Sequence, residues 1–168
     1  MNENYLTIDH IGFVTHDIEN AGIFFTTIAG FIPDDNIYDD VGLGARIRFY
    51  RHSSPSIWKL ELIQPLTEDS PVARYAIQGG GPIHICYRIR TLEGINNWCR
   101  AHGVLLVIEP TIAKAYGDRR RVAFVFAQGL GLIEFVEYED VIELPTMPDI
   151  FTTLRNTFTK RFKNHCEG

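Results

Sequence analysis

His10-Ile11-Gly12-Phe13-Val14 and His84-Ile85-Cys86-Tyr87-Arg88 read as one strand written twice, at an offset of 84 − 10 = 74 residues. Fixed-period self-similarity decides a fold before any local propensity does, so the comparison is carried outward from these two stretches. Asp17-Ile18-Glu19-Asn20-Ala21 falls over Thr91-Leu92-Glu93-Gly94-Ile95. Asp17 and Thr91 are candidate helix N-caps, because a side-chain oxygen there accepts from the free N–H groups of a first turn. Ile18, Ala21 and Phe25 in one half, and Leu92, Ile95 and Cys99 in the other, recur at helical spacing. Gly30 and Gly103 follow as stops.

The halves also close alike. Leu60-Glu61-Leu62-Ile63 matches Ile133-Glu134-Phe135-Val136 at an offset of 134 − 61 = 73. Further strands are predicted over Ala45–Tyr50 and Ile57–Ile63 in the first half. The second half has Leu105–Glu109, Val122–Phe126 and Leu132–Val136, the alternation being clearest in Ala45–Phe49. The expected fold is α+β: two tandem βαβββ modules forming a cupped mixed sheet, with a C-terminal helical extension. Residues 1–168 read as a single domain, with module 1 over about 6–66 and module 2 over about 82–138. The linker 67–81 carries a short helix over Pro71–Ile77 that ends at three glycines. The tail 139–168 carries a helix over Ile150–Phe162.

Four polar residues interrupt apolar strands at matched places: His10, Glu61, His84 and Glu134. An ionised carboxylate inside a sheet costs several kcal/mol unless it is paired or bound to a metal. Here the cost is met twice, with near-equal spacing (61 − 10 = 51; 134 − 84 = 50). A pseudo-twofold axis between the modules would bring two imidazoles and two carboxylates to one point. That set suits one divalent ion among Zn²⁺, Co²⁺, Ni²⁺, Mn²⁺ and Fe²⁺. Gln64 is a reserve ligand, but its repeat partner is Glu137, outside the Ile-Glu-Phe core, and it reads as a strand-end residue. His16, His52, His102 and His165 have no repeat partners and read as surface residues.

A hydrophobic fraction of 45% and a charged fraction of 22% are those of a globular protein. A net charge of −5 argues weakly against nucleic acid as the main partner, which needs a basic footprint, and the run Arg119–Arg121 reads as a solvated loop. No membrane association is expected, since no apolar run reaches the roughly 20 residues of a span. No signal peptide is expected either, because the first ten residues lack a positive start and an apolar stretch. Cys86 and Cys99 read as buried small hydrophobes. With Cys166 they form no disulfide framework, which predicts a reducing compartment, the cytoplasm.

Ile8-Asp9-His10-Ile11-Gly12, Leu60-Glu61-Leu62-Ile63-Gln64-Pro65, Asp69-Ser70-Pro71-Val72-Ala73-Arg74-Tyr75, Pro82-Ile83-His84-Ile85 and Gly131–Glu137 together resemble the vicinal oxygen chelate superfamily, and within it the methylmalonyl-CoA epimerases. The resemblance covers about residues 6 to 138. It implies a metal-dependent epimerase or isomerase that removes and returns the proton next to a thioester or similar carbonyl through a metal-stabilised enolate. Its residues would be His10, Glu61, His84 and Glu134 as ligands, with Glu134 and Glu61 as the catalytic carboxylates. A small-molecule substrate, such as an acyl-CoA thioester, and a homodimer are implied as well. Departures are Ile47, where some epimerases place a glutamate, and Ala127-Gln128-Gly129-Leu130 in place of a His-Pro-Lys turn. The alternatives are a lactoylglutathione lyase like glyoxalase I and a non-catalytic small-molecule-binding resistance protein of the same superfamily. Ring-cleaving dioxygenation normally uses two histidines and one carboxylate, so Glu61 counts against it.

Overall fold

The structure, a computed structural model, describes residues 6–52, 54, 58–117 and 119–138. The expected tail helix, with His165 and Cys166, lies outside the described residues. The elements run in the order β1 (Ile8–Val14), α1 (Ile18–Thr27), β2 (Phe31–Pro33), β3 (Tyr38–Asp40), β4 (Ala45–His52), β5 (Lys59–Pro65) and α2 (Ala73–Ile77). They continue with β6 (Gly81–Ile89), α3 (Ile95–His102), β7 (Leu105–Ile112), a single 3-10 turn (Lys114–Tyr116), β8 (Arg121–Ala127) and β9 (Gly131–Glu137). The nine strands of the described residues join one mixed sheet in the order β2-β4-β5-β1-β6-β9-β8-β7, with β3 paired to β4. The fold is α+β, as the repeat predicts.

The repeat is visible in the hydrogen-bond register. β1 runs parallel to β5 with His10 opposite Lys59. β6 runs parallel to β9 with His84 opposite Leu132, the same pairing one repeat later. Where the halves meet, β1 and β6 are antiparallel and Ile11 faces Ile85. Ile85 is the repeat image of Ile11, so the pseudo-twofold passes through that pair. Each histidine is then opposite the other half's small residue: His10 faces Cys86, and His84 faces Gly12.

Alternation along the strands sorts side chains into two layers. Leu60 and Leu62 of β5 pack with Tyr50 and Phe31 under Ile18, Ala21 and Phe25 of α1. Phe135 of β9 packs with Ile89, Ala123 and Val125 under Ile95, Trp98 and Cys99 of α3. Each fully buried Leu, Ile, Val or Phe among them contributes about 1.5–3 kcal/mol. The intervening residues, Glu61 and Glu134, must point away from both helices. Gly22 sits in mid-helix, where glycine costs about 1 kcal/mol relative to alanine. A Cβ there would overlap the Tyr50 hydroxyl, so close packing of α1 on the sheet accounts for it.

Asp17 caps α1 as expected, accepting from the N–H groups of Glu19 and Asn20. Thr91 does not cap α3. Its hydroxyl accepts from Glu93 N at 3.2 Å in a local turn, and the helix begins after Gly94, which is left-handed at φ 78°. Gly103 ends α3 in the left-handed conformation, as predicted. The first half holds two short strands, β2 and β3, that the sequence pattern does not show; three residues carry too little periodicity. β7 runs on through Pro110 to Ile112. It lies at the sheet edge and its ladder is broken by bulges, the setting that tolerates a proline. The run Arg119–Arg121 is not simply solvated. Arg121 lies in β8 and makes a two-pronged ion pair with Glu137 at 2.7 and 2.8 Å, and Arg120 lies 3.4 Å over the Tyr138 ring. No helix among the described residues is long and apolar enough to cross a membrane.

Candidate metal centre

His10 and His84 come from the two central strands, Glu61 and Glu134 from the strands beside them, and all four are buried. Nε2 of His10 lies 3.0 Å from Nε2 of His84, 3.2 Å from Oε2 of Glu61 and 3.0 Å from Oε2 of Glu134. Nε2 of His84 lies 3.3 and 3.0 Å from the same two oxygens. One donor atom from each residue lies within 4.8 Å of every other.

This crowding is not a set of ordinary hydrogen bonds. Despite those distances, Oε2 of Glu61 and Oε2 of Glu134 lack a hydrogen-bond partner of acceptable geometry. The two carboxylate oxygens are packed against the imidazole nitrogens without bonding to them in good geometry. Donors about 2.1 Å from a transition-metal ion stand about 3.0 Å apart at right angles and about 3.4 Å apart at tetrahedral angles. The residues present fit a divalent ion.

The charges agree. Burial alone would push Glu134 up, but His10 and His84 pull it down to about 2. Burial also opposes ionisation of Glu61, and the same imidazoles hold it below the usual carboxylate range. Burial would push His10 down. The thiol of Cys86, itself driven far up by burial, is neutral, which leaves Glu61, Glu134 and Asp9 as the charges that hold His10 well above 6.5. His84 is raised in the same way, against its burial, by Glu134 and Glu61.

An ion entering the cluster must displace protons from the two imidazoles. Because both histidines hold theirs above the ordinary 6.5, ion affinity should climb with pH through neutrality. The rise is up to about tenfold per pH unit for each proton displaced. The ion-free fold carries the opposite dependence: its imidazolium contribution is fully present below the unfolded value and is lost as pH rises through the raised folded value. Chelator-competition titrations between about pH 6 and about pH 8 test the first part; a flat affinity across that range would contradict it.

Several residues around the cluster escaped the sequence reading. Asp9, wholly buried, lies behind His10, and Tyr116 reaches the same place from the 3-10 turn, its hydroxyl 3.1 Å from His10 Nδ1. Asp40 ties that turn to the first half, accepting from Lys114 N at 2.8 Å. The adjacency of Asp9 to His10 was the available signal; Tyr116 left none. Gln64 is not beside the cluster. Its Oε1 accepts from Ile18 N at 2.9 Å at the start of α1, and its repeat partner Glu137 accepts from Leu92 N at 2.9 Å. His16 and His102 are exposed, and His52 packs edge-on to Phe31; none joins the cluster.

On one side Glu61, His84 and Glu134 line a cavity of about 250 Å³ whose other walls are almost wholly apolar, among them Ile47, Ile63, Ile83, Phe124 and Leu132. His10 closes the cluster from behind, with no exposed surface.

Comparison with known proteins agrees with this geometry. Residues 9–124 match the family described as the glyoxalase/bleomycin resistance protein/dioxygenase superfamily. An uncharacterized protein of Bacillus subtilis, YqjC, is 32% identical over 79 residues, covering 46% of this chain and 52% of that protein. The chain thus spans about half the length of the curated relative it matches. A hypothetical protein of Bacillus halodurans has a similar solved structure, at 26% identity and a TM-score of 0.68 over 82% of this chain and 98% of that one. The methylmalonyl-CoA epimerase of Mycobacterium tuberculosis superposes at 25% identity and a TM-score of 0.69, over 82% and 91% of the two chains. The Streptomyces coelicolor enzyme of the same name, in complex with 2-nitronate-propionyl-CoA, does so at 25% and 0.66, over 82% and 97%. The match spans most of the chain, and the chain belongs to the glyoxalase/bleomycin resistance protein/dioxygenase superfamily.

Proposed function

We propose that the protein is a metal-dependent epimerase or isomerase that moves the proton next to a thioester or similar carbonyl. The carrying observation is the convergence of two imidazole nitrogens and two carboxylate oxygens at the wall of an apolar cavity. Likeness to methylmalonyl-CoA epimerases supports an acyl thioester substrate. The reading takes residues 6–66 and 82–138 as two modules of one domain, each contributing a histidine and a glutamate.

His10, His84, Glu61 and Glu134 would hold the ion through their clustered atoms. When bound, it supplies an electrophile that draws charge off a carbonyl oxygen and so acidifies the neighbouring C–H. Glu134 takes that proton onto its carboxylate as the C–H bond breaks, the electron pair remaining with the substrate. Glu61, entering the cluster from the other module and ionised at rest, first takes up a proton from solvent and then delivers it to the opposite face, which inverts the carbon. Glu134 releases the abstracted proton to solvent to complete the cycle. The apolar walls keep bulk water from competing for the proton.

The test is metal analysis of the purified protein, then deuterium uptake at the α-carbon of racemic methylmalonyl-CoA in heavy water. Stoichiometric divalent metal and uptake that chelation abolishes are expected. An ion-loaded protein that exchanges no α-proton would refute the reading. A second reading has its own observation: Ile47 is buried in the cavity wall at the position where some epimerases are expected to hold a glutamate. That favours a glyoxalase-like isomerisation using only Glu61 and Glu134, and turnover of a glutathione hemithioacetal but of no acyl thioester would select it.

A further inference from the structure

Neighbouring residues of a strand normally point to opposite faces, yet Asp9 bonds the side chain of His10. The register explains how. Ile8 of β1 pairs with Tyr87 and His10 with Cys86, so Asp9 is an extra residue in a bulge, a device that re-aims side chains. The second half repeats the irregularity: Gly12 pairs with His84 and Phe13 with Pro82, which leaves Ile83 as the extra residue before His84. The two bulges are alike in backbone and unlike in chemistry. Ile83 lines the cavity, whereas Asp9 places a carboxylate against His10.

That carboxylate is saturated from five directions. Oδ1 accepts from Nδ1–H of His10 at 3.0 Å and from the Tyr116 hydroxyl at 3.4 Å, and forms an ion pair with Nζ of Lys59 at 3.1 Å. Oδ2 accepts from Nε of Arg88 at 2.8 Å and from the Tyr138 hydroxyl at 2.8 Å. These partners come from β5, β6, the 3-10 turn and the residue after β9, so Asp9 is held from several elements at once. A carboxylate in this position selects the imidazole form with its proton on Nδ1, which frees the Nε2 lone pair. Among the described residues His84 has no such carboxylate; its ring lies over Gly12 and edge-on to Phe124.

We infer that Asp9 is a positioning residue: the first-half bulge aims it at Nδ1 of His10, fixing the ring so that Nε2 faces the cluster. The inference rests on the reading that the cluster holds an ion.

The experiment is nitrogen-15 and proton NMR of histidine-labelled protein, ion-free and zinc-loaded, together with zinc affinity by chelator competition. Wild-type protein should show a downfield, slowly exchanging Nδ1–H proton on His10, with zinc on Nε2. In Asp9→Asn that resonance should move upfield and zinc affinity should fall about 10- to 100-fold. Tyr138→Phe, which removes a donor to Asp9 without touching His10, should keep the resonance and hold affinity within about threefold. The inference is overturned if wild-type His10 lacks the Nδ1–H proton or binds through Nδ1. It is equally overturned if Asp9→Asn binds zinc as tightly as wild type, or if Tyr138→Phe loses as much as Asp9→Asn. Should Asp9→Asn not fold, the wild-type spectrum decides alone. Wild-type protein that binds no zinc would remove the metal reading, while the ion-free spectrum still judges the contact with Asp9.

Discussion

Replacing Glu134 with alanine is expected to lower α-proton exchange by on the order of 10³-fold or more, while the protein stays folded. Under the proposed function the substitution removes a general base, worth about 10²–10⁴-fold by itself, and one of the four donor atoms that would hold the ion. Folding should survive because the cluster holds two carboxylates. With Glu134 gone, Glu61 still faces both imidazoles at 3.2 and 3.3 Å, so neither histidine is left without a counter-charge. Glu134→Gln separates shape from charge: it keeps the side-chain volume, removes the base, and should lose exchange almost as fully. Exchange rates in heavy water, with circular dichroism to establish folding, give the answer. Either variant exchanging at near wild-type rate would remove Glu134 from the chemistry.

The site was legible in sequence because each half repeats a register. His10 and Glu61, then His84 and Glu134, occupy matched rungs, and alternation along β5 and β9 points both carboxylates away from the helices. What surrounds the site was less legible. A bulge is a relation between two strands, so nothing in Ile8-Asp9-His10 alone says that Asp9 turns toward its neighbour. Tyr116 arrives from a three-residue turn with no periodicity to read. Thr91 misled because a left-handed glycine at 94 defers the helix, and Leu92, expected as its first apolar residue, is buried one turn ahead of it. Gln64, a reserve ligand that reads as a strand-end residue, is one: it lies near the end of β5, an odd three residues from Glu61 and so on the other face, where it caps the start of α1.

Gly12→Ala should damage the metal centre from a position that carries no functional group. Gly12 lies opposite His84 where the two halves meet, and a Cβ there would stand 2.6 Å from Nε2 and 2.7 Å from Nδ1 of that ring. Contacts that short are not tolerated, so the ring or the strand must shift. The ring is the softer part, since a strand shift would break ladders in both halves. His84 would then swing away from Glu61 and Glu134, with an expected loss in ion affinity of about 10- to 100-fold. Overpacking adds a stability cost of about 1–3 kcal/mol. Gly42→Ala is the control, because a Cβ there meets nothing nearer than Asp40 Oδ1 at 3.4 Å; it should leave both quantities near wild type. Chelator competition and thermal unfolding measure the two effects separately. A Gly12→Ala protein that holds its ion as tightly as wild type would mean that His84 does not rest against Gly12, and the pairing of each histidine with a small residue across the pseudo-twofold would lose its purpose.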